Sequence, residues 1–176
     1  NWLIEEFMLL ANKRVATWVN KRPPGKEGQH QRGTKPFVYR IHDEPDPEKI
    51  DQLRSLAKSF GHTLRHADAS ELPHAINDLL KDVKGTEEEN IIKQVAIRSM
   101  AKAIYSTENI GHYGLAFEHY THFTSPIRRY PDLLVHRAMA HYLAGGSALD
   151  RGELELSCSH SSRMEKQASD AERASI

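Results

Sequence analysis

Apolar residues recur every three or four positions over most of this chain, and this spacing constrains the fold more than any other feature of the sequence. Such spacing places apolar side chains on one face of an α-helix. Helices are therefore predicted near residues 3–19, 47–60, 71–83, 89–104, 125–143 and from about 157–161 onward. A short strand is predicted at 37–41, and one or two more within 106–124. The predicted fold class is α+β, predominantly α-helical with a few short strands.

Residues at the predicted helix ends carry capping signals. Asp46 followed by Pro47 is typical of a helix start, because the carboxylate accepts hydrogen bonds from free backbone N–H groups and proline has none to leave unpaired. Residues 43–51 contain five acidic side chains, so a metal site is the alternative. We favour capping, because acids suit the positive end of the helix dipole. Thr86 followed by Glu89 predicts a capping box.

The charge is balanced overall but unevenly distributed. Lys plus Arg and Asp plus Glu each number 24, which excludes a protein that binds nucleic acid through bulk positive charge. Residues 13–40, however, contain eight Lys or Arg and one acid, Glu27. Within them, residues 21–36 are rich in Pro, Gly and Gln, which predicts a flexible loop. A solvated loop and a nucleic-acid contact both fit this basic segment.

Composition also limits the compartment and the covalent chemistry. No run of about 18 apolar residues occurs, so neither a transmembrane helix nor a membrane partner is expected. The single cysteine, Cys158, excludes an intramolecular disulfide and a cysteine-rich zinc site. It favours a reducing compartment, and a cytoplasmic location is the corresponding expectation.

Residues 111–143 concentrate the side chains that are suited to chemistry. They hold five of the eleven histidines: His112, His119, His122, His136 and His141. These lack the ligand spacing of a zinc motif, so we favour core or supporting histidines over a His-rich metalloprotein. His136 lies one helical turn from Asp132, which can hold the imidazole by a hydrogen bond.

Arg128 and Arg129 form the strongest candidate site in this segment. If Ser125 caps the fifth helix, both arginines lie in or beside its first turn, where cations oppose the helix dipole. A bound anion would remove that penalty, because backbone N–H groups and guanidinium groups would converge on it. The alternative is a salt bridge between Arg128 and Asp132. Pro131 predicts a kink or a later helix start.

The segment HYTHFTSPIRRYPDLLVHR, residues 119–137, resembles the RNase II/RNase R (RNB) family of exoribonucleases, with the RNase R branch the closer match. Four further segments follow the order of that family: IEEFMLLAN at 4–12, YRIHDEPDPEKI at 39–50, GHYGLA at 111–116 and SCSHSSRMEKQASDAER at 157–173. The resemblance covers nearly the whole chain. It implies that residues 1–176 are the C-terminal part of an RNB catalytic domain.

Enzymes of this family degrade single-stranded RNA from its 3′ end with Mg²⁺ and release 5′-mononucleotides. The resemblance implies that Arg128 is catalytic, because it would contact the scissile phosphate and stabilise charge in the transition state. It further implies RNA contacts for Glu5 or Glu6, and for three residues around Arg128: Ser125, Arg129 and Tyr130. A supporting role is implied for Asp132, His136 and Arg137.

The chain also departs from the family pattern. The family's magnesium ligands are aspartates spaced like D-x5-D-x-D-D, and this sequence has no such cluster, so no metal ligand is assigned here. Both ends of the chain look cut, which predicts a longer parent protein that holds the missing N-terminal half of the domain, cold-shock-type domains and an OB-type RNA-binding domain. The fragment alone is expected to be inactive. The alternative is an RNB-like module that binds RNA without cutting it.

Overall fold

The computed structural model describes residues 2–20, 35–68 and 71–175. In chain order the elements are α1 (Trp2–Asn20), β1 (Tyr39–Ile41), α2 (Pro47–Ser59), α3 (Leu72–Asp82), α4 (Glu89–Ser99), β2 (Ile104–Ser106), a 3-10 turn (Tyr113–Leu115), α5 (Tyr130–Leu143) and α6 (Arg151–Ala174). Helices dominate, which confirms the predicted fold class. Most of the predicted 21–36 loop lies outside the described residues. Among the residues that are described, no helix has the length and apolar content needed to cross a bilayer.

The first compact unit comprises Asn1–His42 and Ala103–Ile176. β1 pairs antiparallel with β2, with Arg40 opposite Tyr105. α6 packs on β2 and also contacts α5. One core receives side chains from both strands and from all three helices of the unit: Val15, Ala16, Phe37, Val38, Tyr39, Ile41, Tyr105, Val135, Ala138, Tyr142, Leu154 and Cys158. This core fixes the positions of α1 and α5, which carry most of the predicted site residues.

The second compact unit, Asp43–Lys102, contains α2, α3 and α4. α4 packs on both α2 and α3. The core consists of apolar residues at helical spacing: Ile50, Leu53, Ala57, Leu64, Leu72, Ala75, Ile76, Leu79, Val83, Ile92 and Ala96. Asp46 Oδ1 accepts a hydrogen bond from the Glu48 N–H at 3.0 Å, so the capping interpretation of the acidic segment is confirmed.

The capping box predicted before α4 is wrong. The Thr86 hydroxyl donates to the Val83 carbonyl at 2.7 Å, so it does not cap the helix. The Glu89 carboxylate instead accepts from the Gly85 N–H at 2.7 Å. Thr86 therefore belongs to the turn that ends α3, since its hydroxyl satisfies a carbonyl of the preceding helix end.

Two other helix ends differ from the prediction. α4 ends at Ser99 and does not continue to Ile104, because Ile104 pairs with Ile41 in the sheet. α6 begins at Arg151, earlier than predicted, because the Asp150 side chain accepts from a backbone N–H of the first helical turn at 2.8 Å. Both differences arise from polar contacts that apolar spacing does not reveal.

His62 links two helix ends in the second unit. Its Nδ1 lies 2.6 Å from Asp82 Oδ2 and its Nε2 lies 2.7 Å from Glu88 Oε1. Both ring nitrogens face carboxylates, which favours the protonated imidazolium because it donates from both positions. The hydrogen bonds to Glu88 and then to Asp82 raise the pKa of His62. The same bond to His62 lowers the pKa of Glu88.

We predict that His62→Gln destabilises the protein most between about pH 4.5 and pH 6.5. The folded-state pKa of His62 is raised. Its contribution to the free energy of unfolding is therefore complete below the unfolded-state pKa of about 6.5, and it is lost as the pH rises through the folded-state pKa. The folded-state pKa of Glu88 is lowered, so its contribution is present above about pH 4.3 and is lost on acidification. Urea midpoints at about pH 5.5 and about pH 9 measure the difference.

His74→Gln is the control, because His74 is an exposed histidine on α3 of the same unit. The control should leave the midpoint nearly unchanged at both pH values. Equal decreases in the urea midpoint for the two variants, or a decrease for His62→Gln that does not depend on pH, would contradict the prediction.

Candidate nucleic-acid interface

α5 begins at Tyr130, later than the predicted start near Ser125. Arg129 is the N-cap residue, with φ −127° and ψ 115°, so the prediction that Ser125 caps this helix is wrong. Pro131 explains the late start, because proline lacks an N–H and is tolerated in the first turn but not in a helix interior. Residues 125–129 instead form a tight turn, in which the Ser125 carbonyl accepts from the N–H groups of Arg128 at 3.3 Å and Arg129 at 3.0 Å.

The buried carboxylate of Asp132 closes this turn. Asp132 is 0% exposed, and its Oδ1 accepts from the Ser125 N–H and from Arg129 Nη2, each at 2.8 Å. These bonds tie the first and last residues of the turn to the first turn of α5. Asp132 Oδ2 and Arg129 Nε are also buried and make no hydrogen bond within the described residues. The carboxylate therefore holds the turn, because separating the buried ion pair between Asp132 and Arg129 would leave an uncompensated charge in the interior.

The turn presents Arg128 to solvent without a counter-ion. Arg128 is exposed, and within the described part of the chain its side chain has no ion pair. The alternative salt bridge between Arg128 and Asp132 is wrong, because Asp132 binds Arg129. The neighbouring Ile127 is 102% exposed and Tyr130 is 51% exposed. A guanidinium held in this way fits an external anion such as a phosphate, to which it can donate two parallel hydrogen bonds.

The start of α5 adds a second feature that suits an anion. No side chain caps this helix, and the first N–H groups of a helix lack intrahelical partners. The helix dipole also favours negative charge at this end. Tyr130 begins the helix two residues after Arg128. Pro131 supplies no N–H in this turn, and the Asp132 carboxylate already lies within it, so Arg128 is the main donor available to an anion.

α1 holds the segment that leads into the turn. Asn12, which is 4% exposed, donates from Nδ2 to Tyr120 Oη at 3.1 Å and accepts at Oδ1 from the Phe123 N–H at 3.0 Å. The Thr121 hydroxyl donates to the Val38 carbonyl at 2.7 Å. The buried amide of Asn12 thus uses its donor and its acceptor on one segment, which positions residues 120–123 relative to α1.

His136 supports the same segment, but through a contact other than the predicted one. Its Nε2 lies 2.8 Å from the Phe123 carbonyl oxygen. Its ring stacks on the Phe123 ring with centroids 4.1 Å apart and 7° between the planes. The predicted hydrogen bond from His136 to Asp132 is wrong, because the imidazole turns toward Phe123 and the carboxylate binds Ser125 and Arg129.

Two residues in this unit are not singled out by the sequence, Arg40 and Tyr105, and both lie near His122, which the sequence predicts to be a core or supporting histidine. Arg40 binds both oxygens of Glu165, at 2.7 Å and 3.0 Å, and its guanidinium lies 4.5 Å from the centre of the Tyr105 ring. Tyr105 Oη lies 2.9 Å from His122 Nδ1. The Tyr-Arg-x-His pattern at 39–42 is the sequence signal that could have indicated Arg40. Its contact with Glu165 could not be predicted, because the two residues are 125 positions apart in the sequence.

The protonation of His122 reflects the charge around the site. Burial, followed by the positive charges of Arg129, Arg40 and Arg128, lowers the pKa of His122 to about 3. The imidazole is therefore neutral at neutral pH. Arg40 and Arg129 each bind a carboxylate, so the charge of Arg128 is the one that stays uncompensated among these three arginines.

The remaining predicted residues lie on the surfaces of α1 and α5. Glu5 and Glu6 are exposed on α1, about 10 Å along the helix axis from Asn12 at the usual rise per residue. Arg137 is exposed on α5. Within the described ranges, none of these three side chains forms an ion pair. The RNA contacts proposed for Glu5 or Glu6, and the supporting role of Arg137, stay predictions.

The histidines in this unit pack against neighbouring groups. His112 stacks on His42 with ring centroids 5.0 Å apart, and its pKa falls to about 4, chiefly because of burial. His141 Nε2 lies 2.8 Å from the Ser147 carbonyl oxygen. In the described parts of the chain, no group of three or more His, Cys, Asp or Glu side chains is arranged to hold a metal ion.

Comparison with known proteins gives a consistent family match. The profile of the RNB domain matches residues 1–145. Ribonuclease R of Aquifex aeolicus (strain VF5) is 36% identical over 178 residues, which cover 99% of this chain and 23% of that protein. The chain thus spans about a quarter of the length of the curated relatives that it matches.

Two solved structures share the fold. Mycoplasma genitalium RNase R in complex with ribose methylated single-stranded RNA superimposes with a TM-score of 0.76 and 26% identity, over 97% of this chain and 26% of that chain. Yeast Ssd1, described as a pseudonuclease, superimposes with a TM-score of 0.67 over 89% of this chain and 18% of that chain. At 23% identity, the second similarity concerns the fold alone.

We predict that Asp132→Ala lowers the free energy of unfolding by about 3–5 kcal/mol, because it leaves the Arg129 guanidinium and the Ser125 N–H without their acceptor. Asp132→Asn should cost less, since the amide oxygen can still accept from Ser125. Equilibrium urea denaturation measures both. Asp170→Ala, on the exposed surface of α6, is the matched control and should change the value by less than about 0.5 kcal/mol. A loss of stability at Asp132 no larger than that of the control would contradict the role of this carboxylate in holding the turn.

Proposed function

The chain belongs to the RNB domain family, and from this membership we propose that its full-length protein is a 3′–5′ exoribonuclease. The proposed substrate is single-stranded RNA and the proposed product is a 5′-mononucleotide. Relatives named Ribonuclease R support the proposal, as does the structural similarity to an RNase R bound to single-stranded RNA. Because the chain spans about a quarter of those proteins, the activity is proposed for the longer protein.

The single observation that carries this proposal is the exposed and uncompensated guanidinium of Arg128, held on a turn that Asp132 closes. A phosphodiester undergoing hydrolysis gains negative charge on its oxygens. The backbone that carries Arg128 is held in place, so a guanidinium donor there would stabilise the transition state more than the ground state with little movement of the turn as the charge develops. Arg128 is thus the proposed catalytic residue.

The residues around Arg128 have separate proposed roles. Tyr130 offers a half-exposed ring on which a base or a ribose of the RNA can pack. Ser125 lies at the start of the turn, and its proposed role is to hold the turn through its backbone N–H, which donates to Asp132. Arg129 binds Asp132, so its proposed contribution to RNA binding is indirect: it holds the turn that carries Arg128. Arg128 makes the direct phosphate contact.

Mg²⁺ is the proposed cofactor of the full-length protein. When bound, it would activate the attacking water and support the leaving oxygen. The described residues offer no group of three ligands for it, so we assign no step to metal ligands of this chain. We propose that its ligands are aspartates in a further, N-terminal part of the catalytic domain. OB-type and cold-shock-type domains of the same protein are the other proposed partners. A cytoplasmic location stays a prediction.

The alternative function is a non-catalytic module that binds RNA. Its specific support is the fold shared with yeast Ssd1, which is described as a pseudonuclease. Both functions would use an exposed Arg128 to bind a phosphate. They differ in whether removal of the guanidinium changes turnover or only affinity.

We predict that Arg128→Ala in the full-length protein lowers kcat about 100- to 1000-fold, because one donor to developing charge is lost. The Kd for single-stranded RNA should rise far less, since many other phosphate contacts remain. Single-turnover kinetics and filter binding at one fixed salt concentration measure the two effects. Arg163→Ala is the matched control, because this arginine is exposed on α6 and has no role in the proposed site. Equal effects on turnover and affinity would contradict the transition-state role.

A second prediction concerns residues 1–176 alone. We predict that this chain releases no mononucleotides from labelled single-stranded RNA in the presence of Mg²⁺, because an arginine cannot replace the carboxylates that hold the metal ions. Denaturing gels of the reaction products provide the measurement, with the full-length protein as the positive control. Processive release by the 176-residue chain would contradict the prediction. A full-length protein that binds RNA and releases no mononucleotides would favour the non-catalytic alternative.

A further inference from the structure

α1 has two apolar faces. The inner face packs into the core of the first unit and carries the buried residues Asn12, Val15 and Ala16. At about 100° per residue, the apolar side chains of a second set lie within about 60° of one another on the opposite side of the helix. This outer face consists of Leu3, Phe7 and Leu10.

The outer face of α1 is uncovered. Leu3 is 68% exposed, Phe7 is 62% exposed and Leu10 is 46% exposed. Surface helices of globular proteins are apolar along one stripe, whereas a helix that is apolar on both sides is normally buried. Single exposed apolar residues, such as Leu156 between Glu155 and Ser157, are ordinary. Three at helical spacing indicate a docking surface.

The exposure of apolar residues falls along α1 from its N-terminal end. On the outer face it is 68% at Leu3, 62% at Phe7 and 46% at Leu10. The uncovered surface is thus largest where the preceding polypeptide would enter the helix. Elements that are consecutive in a chain are usually adjacent in space, and about three quarters of the length of the matched relatives lies outside the part that this chain covers.

We propose that the outer face of α1, formed by Leu3, Phe7 and Leu10, docks against the part of the full-length polypeptide that precedes Asn1. This inference rests on the proposed function, because both place residues 1–176 within a longer RNB protein. It adds the surface on which the two halves of the catalytic domain meet. The inner face of the same helix holds residues 120–123 through Asn12. α1 therefore connects the docked part to the segment that leads into the Arg128 turn.

The test uses thiol labelling of the full-length protein with a cysteine placed on the outer face, Phe7→Cys or, as a second site, Leu10→Cys. A docked face should label more slowly than Leu156→Cys by about a hundredfold or more, because labelling then requires local opening. Within residues 1–176 the native thiol adds little background, since Cys158 is buried and burial raises its pKa to about 12. Labelling of the parent protein without the added cysteine is subtracted as the background from any other thiol. Labelling of both outer-face cysteines as fast as at position 156 would overturn the proposal.

The occupant is identified by a short thiol-to-amine cross-linker attached at position 7, followed by peptide mass spectrometry. Links to peptides that precede Asn1 are the expected result. Links to peptides that follow Ile176, or to a second copy of the chain in mixtures of light and heavy protein, would overturn the proposal. Neither readout uses ribonuclease activity, so a docked but inactive protein would contradict the proposed function and leave the docking surface intact.

A pair of charge substitutions in the full-length protein gives an independent measurement. Phe7→Asp should lower the thermal midpoint by several degrees, because it places a charge in the interface. Leu156→Asp, at a position that is 74% exposed, should change it by less than about one degree. Equal shifts for the two variants would overturn the proposal.

Discussion

The carboxylate of Asp132 is the group on which the geometry of the candidate site depends. It lies in the first turn of α5, where an acid is favoured by the helix dipole, and it compensates the arginine at the N-cap, which the same dipole disfavours. A buried ion pair is weak evidence for stability, because desolvation offsets much of the attraction between the charges. Its effect here is geometric: the bonds to Ser125 and Arg129 hold the turn together and leave Arg128 as the arginine of the turn that has no ion pair.

The turn also depends on a helix that is distant in sequence. Asn12 is separated by more than one hundred residues from the two groups that it bonds, yet its amide fixes both the Tyr120 side chain and the Phe123 backbone. His136 holds the Phe123 carbonyl from the other side. A functional loop supported from two helices keeps its position with little reorganisation, which is what electrostatic stabilisation of a transition state requires.

Local signals in the sequence predicted most of the fold and only part of the site. Helical spacing located the helices, and Asp46 capped α2 as predicted, because capping involves residues within one turn. The start of α5 is set by Pro131, which is tolerated only in the first turn of a helix, and not by the capping residue Ser125. Long-range polar contacts could not be predicted, because a bond such as that from Arg40 to Glu165 depends on how the elements pack and produces no periodicity. For the same reason, the sequence could not show which of two adjacent arginines would bind Asp132.

The balanced composition of the chain therefore says little about what it binds. Ion pairs within the first unit neutralise Arg40 and Arg129, so among the three arginines around the turn the unpaired charge is that of Arg128. Such a placed charge acts at a single phosphate, whereas bulk charge acts along the whole RNA backbone. A single guanidinium, however, does not hydrolyse a phosphodiester, because the attacking water must also be activated. In the proposed function the described residues would supply the phosphate-binding part of a reaction centre, and the uncovered face of α1 lies on the helix that holds this part in place. In our proposal the same helix aligns the two halves, which makes the packing of α1 a requirement for chemistry as well as for stability.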